Sequence, residues 1–155
     1  MRLLAAIALG LSAGAMLAEQ MVLVPYWRSL PPADLLRWFA ANEPRLVAFY
    51  GPLEIASVAL TFLATAVCIT RRERGIGRLV LASLLAASVL AVYPMYFQAA
   101  NARFVAGTID VAGVVAELGR WQRWQWLRVA LGVGAFIAAV AALAPGPAGR
   151  RSPPS

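Results

Sequence analysis

The chain has no histidine, no lysine and a single cysteine, and only seven of its 155 residues are acidic. Each shortage closes off a chemistry. Without histidine, the commonest side-chain ligand of haem, zinc and copper is missing, so no metal or other cofactor is expected. One cysteine, Cys68, excludes an internal disulfide and cysteine-pair redox chemistry. Charged residues make up 14% of the chain against 61% apolar, and the mean hydropathy of +0.71 is more than a soluble domain carries. Segments of alternating polarity, which a membrane β-barrel requires, are absent. The net charge of +7 comes from arginine alone. Those arginines flank apolar segments, and no aromatic-plus-basic nucleic-acid module accompanies them. Their expected partner is the lipid head-group layer, not nucleic acid.

Four apolar segments remain, at 3–24, 46–70, 79–97 and 121–143. At about 1.5 Å per residue, segments of roughly 19–25 residues cross a hydrocarbon core of about 30 Å. In lipid the backbone must satisfy its own polar groups, so the segments must be helices. The expectation is an all-α protein: a four-transmembrane-helix bundle over 1–144, with a Pro/Gly/Ser-rich disordered tail over 145–155. The first segment begins like a signal peptide, with Arg2 and then Ala13-Gly14-Ala15. It runs on through Met21–Val24, beyond an ordinary h-region, and is expected to be retained.

The short loop Arg71–Arg78 makes segments two and three antiparallel neighbours. Two longer connections fall on the opposite side, each expected to hold a short interfacial helix. In the first, Pro25 stops helix one, Tyr26 and Trp27 suit the interface, and Leu35, Leu36, Trp38 and Phe39 lie on the membrane surface until Pro44. In the second, Asn101 to Gly119, Asp110 caps a helical stretch. Pro94 predicts a kink in helix three. Four arginines in the short loop favour both termini in the cytoplasm of a bacterial inner-membrane protein.

The intramembrane polar residues are unevenly distributed. Glu19, Glu54, Tyr93, Tyr96, Asn101, Trp121, Trp124 and Arg128 all fall at the end of the bundle that carries the two connections. Glu54, Ser57, Thr61, Thr65 and Cys68 recur every three or four residues as one stripe. Ala5, Ala8, Ser12, Ala15 and Glu19 share a small-residue face that permits close helix approach. A lone arginine or aspartate at mid-membrane costs about 2.5–3.5 kcal/mol on insertion scales, so such groups turn inward and pair. Two readings stay open. Arg128 pairs with Glu54 or Glu19 as a structural lock, or the cluster lines a ligand pocket. The tryptophans are interface anchors or ligand-stacking surfaces.

The run Arg120-Trp121-Gln122-Arg123-Trp124-Gln125-Trp126-Leu127-Arg128, together with Asn101-Ala102-Arg103, resembles the DUF1772, or anthrone oxygenase-like, family of four-helix membrane proteins. Trp121, Trp124 and Arg128 fit that family's W-x-x-W-x-x-x-R run, and Asn101 fits the asparagine closing its third helix. The resemblance implies cofactor-free binding or oxidation of a hydrophobic aromatic such as an anthrone. Glu54 or Glu19 would then act as base, Arg128 and Asn101 would hold an oxyanion, and Tyr93, Tyr96, Trp121 and Trp124 would bind the rings. Gln125 departs from the pattern, standing where family members often carry a histidine. The competing functions are a non-enzymatic scaffold that binds lipid or a partner, including a second copy of the chain, and, ranked behind, a small proton-coupled transporter. The topology has a direct check: reporters fused after Arg74 and after Asp110 should report opposite faces of the membrane, with Arg74 cytoplasmic. The same face for both would contradict it.

Overall fold

A computed structural model describes residues 1–144; the expected tail at 145–155 lies outside the described residues. The described residues are helical almost throughout. They comprise α1 (Arg2–Ala18), a π-turn at Glu19–Leu23, α2 (Val24–Ser29), α3 (Pro32–Thr70), α4 (Ile76–Val92), a π-turn at Tyr93–Phe97, α5 (Gln98–Ala106) and α6 (Val111–Ala141). The pieces join end to end into four long apolar rods, Arg2–Ser29, Pro32–Thr70, Ile76–Ala106 and Val111–Ala141. Each rod packs mainly on its neighbours in sequence and the last closes on the first, giving an antiparallel four-helix bundle. Four rods of this length and hydropathy make the chain a multi-pass membrane protein.

The two expected interfacial connections are instead parts of the rods. Residues 32–45 continue straight into α3, and Pro44 and Pro52 both lie inside that helix. The first long connection shrinks to Leu30 and Pro31, and the second to Gly107–Asp110. Gly107 ends α5 at φ +61°, a left-handed cap that suits glycine. Asp110 does cap α6, accepting from the Gly113 backbone N–H at 2.8 Å. The physical reason for the longer rods is a second apolar core outside the spans. Trp27, Leu35, Phe39, Phe104, Val114 and Leu118 are all buried together there. Trp27 is thus a core residue and not an interface anchor, and Phe39 packs on Trp27 and Phe104 with ring centroids 4.9 and 4.8 Å apart. Tertiary burial on both sides of Pro44 keeps the helix on one axis despite the missing hydrogen bond.

At 39 residues and about 1.5 Å per residue, α3 is roughly 58 Å long, nearly twice a hydrocarbon core of about 30 Å. A headpiece therefore projects beyond the membrane at the end where Arg28, Arg37, Arg103 and Arg120 are exposed. Within the spans the packing is close and alanine-lined: Ala6, Ala82, Ala86, Ala135 and Ala139 meet at the centre. The far end is closed by Arg2, which donates to Glu73 at 2.5 Å and to the Ala142 carbonyl at 3.0 Å. The kink expected at Pro94 takes the form of a π-turn, and a second π-turn lies just before Pro25. A wider turn relieves the clash of the proline ring with the preceding carbonyls.

Phe39→Ala separates a headpiece core from a membrane-surface helix. Emptying a buried phenylalanine site costs about 3–5 kcal/mol, so thermal unfolding in detergent should fall sharply. An anchor lying in the head-group layer would leave it nearly unchanged.

Candidate functional site

The polar stripe of α3 turns inward, as its spacing requires: Glu54, Ser57, Thr61, Thr65 and Cys68 are all buried. Below Glu54 the hydroxyls satisfy themselves. Thr61 donates to the Ser57 carbonyl at 2.6 Å, and Thr65 lies 2.9 Å from the Ser83 hydroxyl across the α3–α4 seam. Glu54 has no such local partner. Its carboxylate is met by Arg128 of α6 in a buried ion pair, both residues being 5% exposed.

Arg128 is held on three sides. One terminal nitrogen donates to Glu54, and the other donates to the Gln125 side-chain oxygen at 3.0 Å. The guanidinium carbon sits 4.7 Å from the centroid of the Phe97 ring, a cation–π contact. Gln125, fully buried, then turns its amide group on the first rod, donating to Glu19 Oε2 at 2.8 Å and to the Met16 carbonyl at 3.2 Å. A single chain of hydrogen bonds thus runs Glu54–Arg128–Gln125–Glu19, tying three rods together. The π-turns assist at two points. Glu19 opens one, where Glu19 and Gln20 are both buried, and Phe97 closes the other.

Above this chain lies a cavity of about 200 Å³. Glu19, Glu54 and Arg128 form its polar floor, and Phe39, Tyr50, Tyr93, Phe97 and Trp121 give it ring walls. Asn101 also lines it, accepting from the Trp121 indole N–H at 3.0 Å. On the α1–α3 side, the Tyr50 hydroxyl reaches the Ala15 carbonyl at 3.2 Å and closes the wall. On the α3–α4 side the lining includes Val47 and Ile55, which are 40% and 58% exposed in the apolar belt, and the half-buried Leu90 and Tyr93. The cavity therefore opens sideways, toward lipid. Gly51 stands at this mouth, where an added Cβ would meet nothing within 4 Å.

Six of the residues singled out in the sequence meet at this cavity: Glu19, Glu54, Tyr93, Asn101, Trp121 and Arg128. Tyr96 and Trp124 lie outside its lining. They stack on each other with centroids 5.2 Å apart, and the Tyr96 hydroxyl donates to Glu117 at 3.0 Å. Glu117, only 3% exposed, also pairs with Arg103 and Arg120 at 2.7 Å, bracing α5 against α6. Spacing marks Glu117 only as an i,i+3 partner of Arg120, and nothing local announces its long-range ties. Gln125 is the central residue that the sequence reading treated only as a departure, although it lies on the α6 face midway between Trp121 and Arg128. Phe39, expected in a helix on the membrane surface, is a cavity wall. No group of three His, Cys, Asp or Glu side chains among the described residues is placed to hold a metal ion. Compared with models of protein families, with curated proteins and with solved structures, the chain matches none.

Proposed function

We propose that the chain is a membrane protein of the DUF1772 type whose cavity binds a hydrophobic, ring-bearing small molecule arriving from the bilayer. The observation that carries this reading is the cavity itself, ring-walled, polar at one end only, and open between α3 and α4 at the level of exposed Val47 and Ile55. An apolar pocket with a few convergent polar groups is the usual form of a small-molecule site. A ligand dissolved in lipid meets this mouth without crossing water. Asn101, Trp121 and Arg128, three of the residues behind the family resemblance, all line the cavity. The reading includes a bacterial inner membrane, with the Arg71–Arg78 loop in the cytoplasm.

Oxidation of an anthrone-like phenol, with dioxygen taking up the electrons of the carbanion left by proton removal, is the second reading, favoured by one observation. Glu19 accepts through Oε2 alone, and its Oε1 has no hydrogen bond among the described residues. A carboxylate oxygen free beside a cavity is what proton removal from an activated C–H needs. Gln125 in the family's histidine place offers no proton transfer, so binding is the conclusion and oxidation the extension.

Gly51→Phe tests the mouth. Because open space lies beyond Gly51, the variant should fold with little change in thermal stability while its ring fills the entrance. Quenching of tryptophan fluorescence by a small aromatic hydrocarbon in detergent should be lost. Undiminished quenching in a folded Gly51→Phe protein would contradict the lateral mouth.

A further inference from the structure

We infer that the ligand of this cavity is an organic cation: a protonated amine or quaternary ammonium carrying an apolar ring. The inference rests on the cavity reading above and narrows it. Three ionisable side chains other than tyrosine line the cavity, and they do not balance: two carboxylates, Glu19 from the first rod and Glu54 from α3, face one guanidinium, Arg128 from α6. The third rod's contribution, Leu90, Tyr93, Phe97 and Asn101, carries no formal charge. Two carboxyl groups face one guanidinium, so Glu19 has only the neutral Gln125 amide as its hydrogen-bond partner, and a cation entering the cavity would supply its counter-charge.

Hydrogen-bond assignments point the same way. Both terminal nitrogens of Arg128 are committed to Glu54 and Gln125, and one face of its guanidinium lies on Phe97. The Gln125 amide group is committed to Glu19 and the Met16 carbonyl. The Trp121 indole N–H is taken by Asn101, and the Tyr50 hydroxyl by Ala15. Two acceptors carry no hydrogen bond among the described residues, Oε1 of Glu19 and Oε2 of Glu54, beside one donor buried without a partner, the Arg128 Nε–H. An oxyanion that reached this N–H would stand beside two carboxylates, which repel it. A cation finds carboxylate oxygens at the floor and the rings of Tyr50, Tyr93 and Trp121 on the walls. The polar end is deep and the mouth apolar, so the charged group of such a ligand goes in first and its ring stays toward the lipid side.

Isosteric probes separate charge from shape. Benzyltrimethylammonium and neopentylbenzene differ by one nitrogen for carbon, and benzylsulfonate supplies the opposite charge. Binding of each to the detergent-solubilised full chain is read by tryptophan fluorescence. The cation should bind at least about tenfold more tightly than its hydrocarbon isostere, a difference of about one decade in Kd, and the sulfonate should bind most weakly. Glu19→Gln, which keeps an oxygen for Gln125, should bring cation and hydrocarbon close to parity while the hydrocarbon still binds. Equal or tighter binding of the hydrocarbon or the sulfonate to the unmodified protein would overturn the inference and leave the cavity reading standing. An unchanged cation preference in Glu19→Gln would overturn the role of Glu19. Failure of all three probes would take the cavity reading down as well. The comparison on the unmodified protein decides the charge question even if Glu19→Gln does not fold.

Discussion

The ion pair between Glu54 and Arg128 is the interaction on which the rest of this bundle depends. Both side chains are buried in long apolar rods. Neither could stay there alone, since an unpaired charge of this kind costs about 2.5–3.5 kcal/mol even on insertion scales. Together they fix α3 against α6, two rods that sit diagonally and share little other contact. Through Gln125 the same guanidinium reaches Glu19, so the first rod takes its register from the pair as well. A buried pair adds less to net stability than to uniqueness. In a core of alanines, where many registers pack almost equally well, a single polar contact that must be made is what selects one.

The headpiece explains how a bundle this small keeps a cavity open. Four rods crossing only the hydrocarbon layer would collapse onto their small residues, as they do around Ala82 and Ala135. At the other end the rods continue past the membrane and pack on large rings, with Trp27, Phe39, Phe97, Phe104 and Trp121 in one core. The cavity lies in the transition between these regimes, between alanine packing and ring packing. The two π-turns each supply residues to it, Glu19 from the first and Tyr93 and Phe97 from the second. Glu117 with Arg103 and Arg120 then fastens the headpiece on the α5–α6 side.

Much of this was readable from the chain. The four spans followed from apolar length, the inward stripe from Glu54 to Cys68 followed from helical period, and Asp110 was a cap by residue type and position. The gathering of polar groups at one end followed from alternating rod direction alone. What local rules missed was decided by tertiary contact. Pro44 reads as a terminator, but Phe39 and Leu35 are buried on one side of it and Glu54 on the other, which holds the helix through. Phe39 and Trp27 read as interface residues because rings are common there, and only the headpiece core shows otherwise. Gln125 carries no signal by type. Its importance lies in joining Arg128 to Glu19, 106 positions apart from its own, and no spacing rule reaches that far.

The most direct measurement is a double-mutant cycle on Glu54 and Arg128, using Glu54→Leu, Arg128→Met and their combination, followed by equilibrium unfolding in detergent. Each single change strands a buried charge and should cost about 3–5 kcal/mol. The double variant leaves no orphan charge at this pair and should lose far less than the sum, with coupling well beyond 1 kcal/mol by the usual range for contacting residues, about 0.5–3 kcal/mol. Additivity within about 0.5 kcal/mol would mean that the two side chains do not meet, and that the bundle is held by something else.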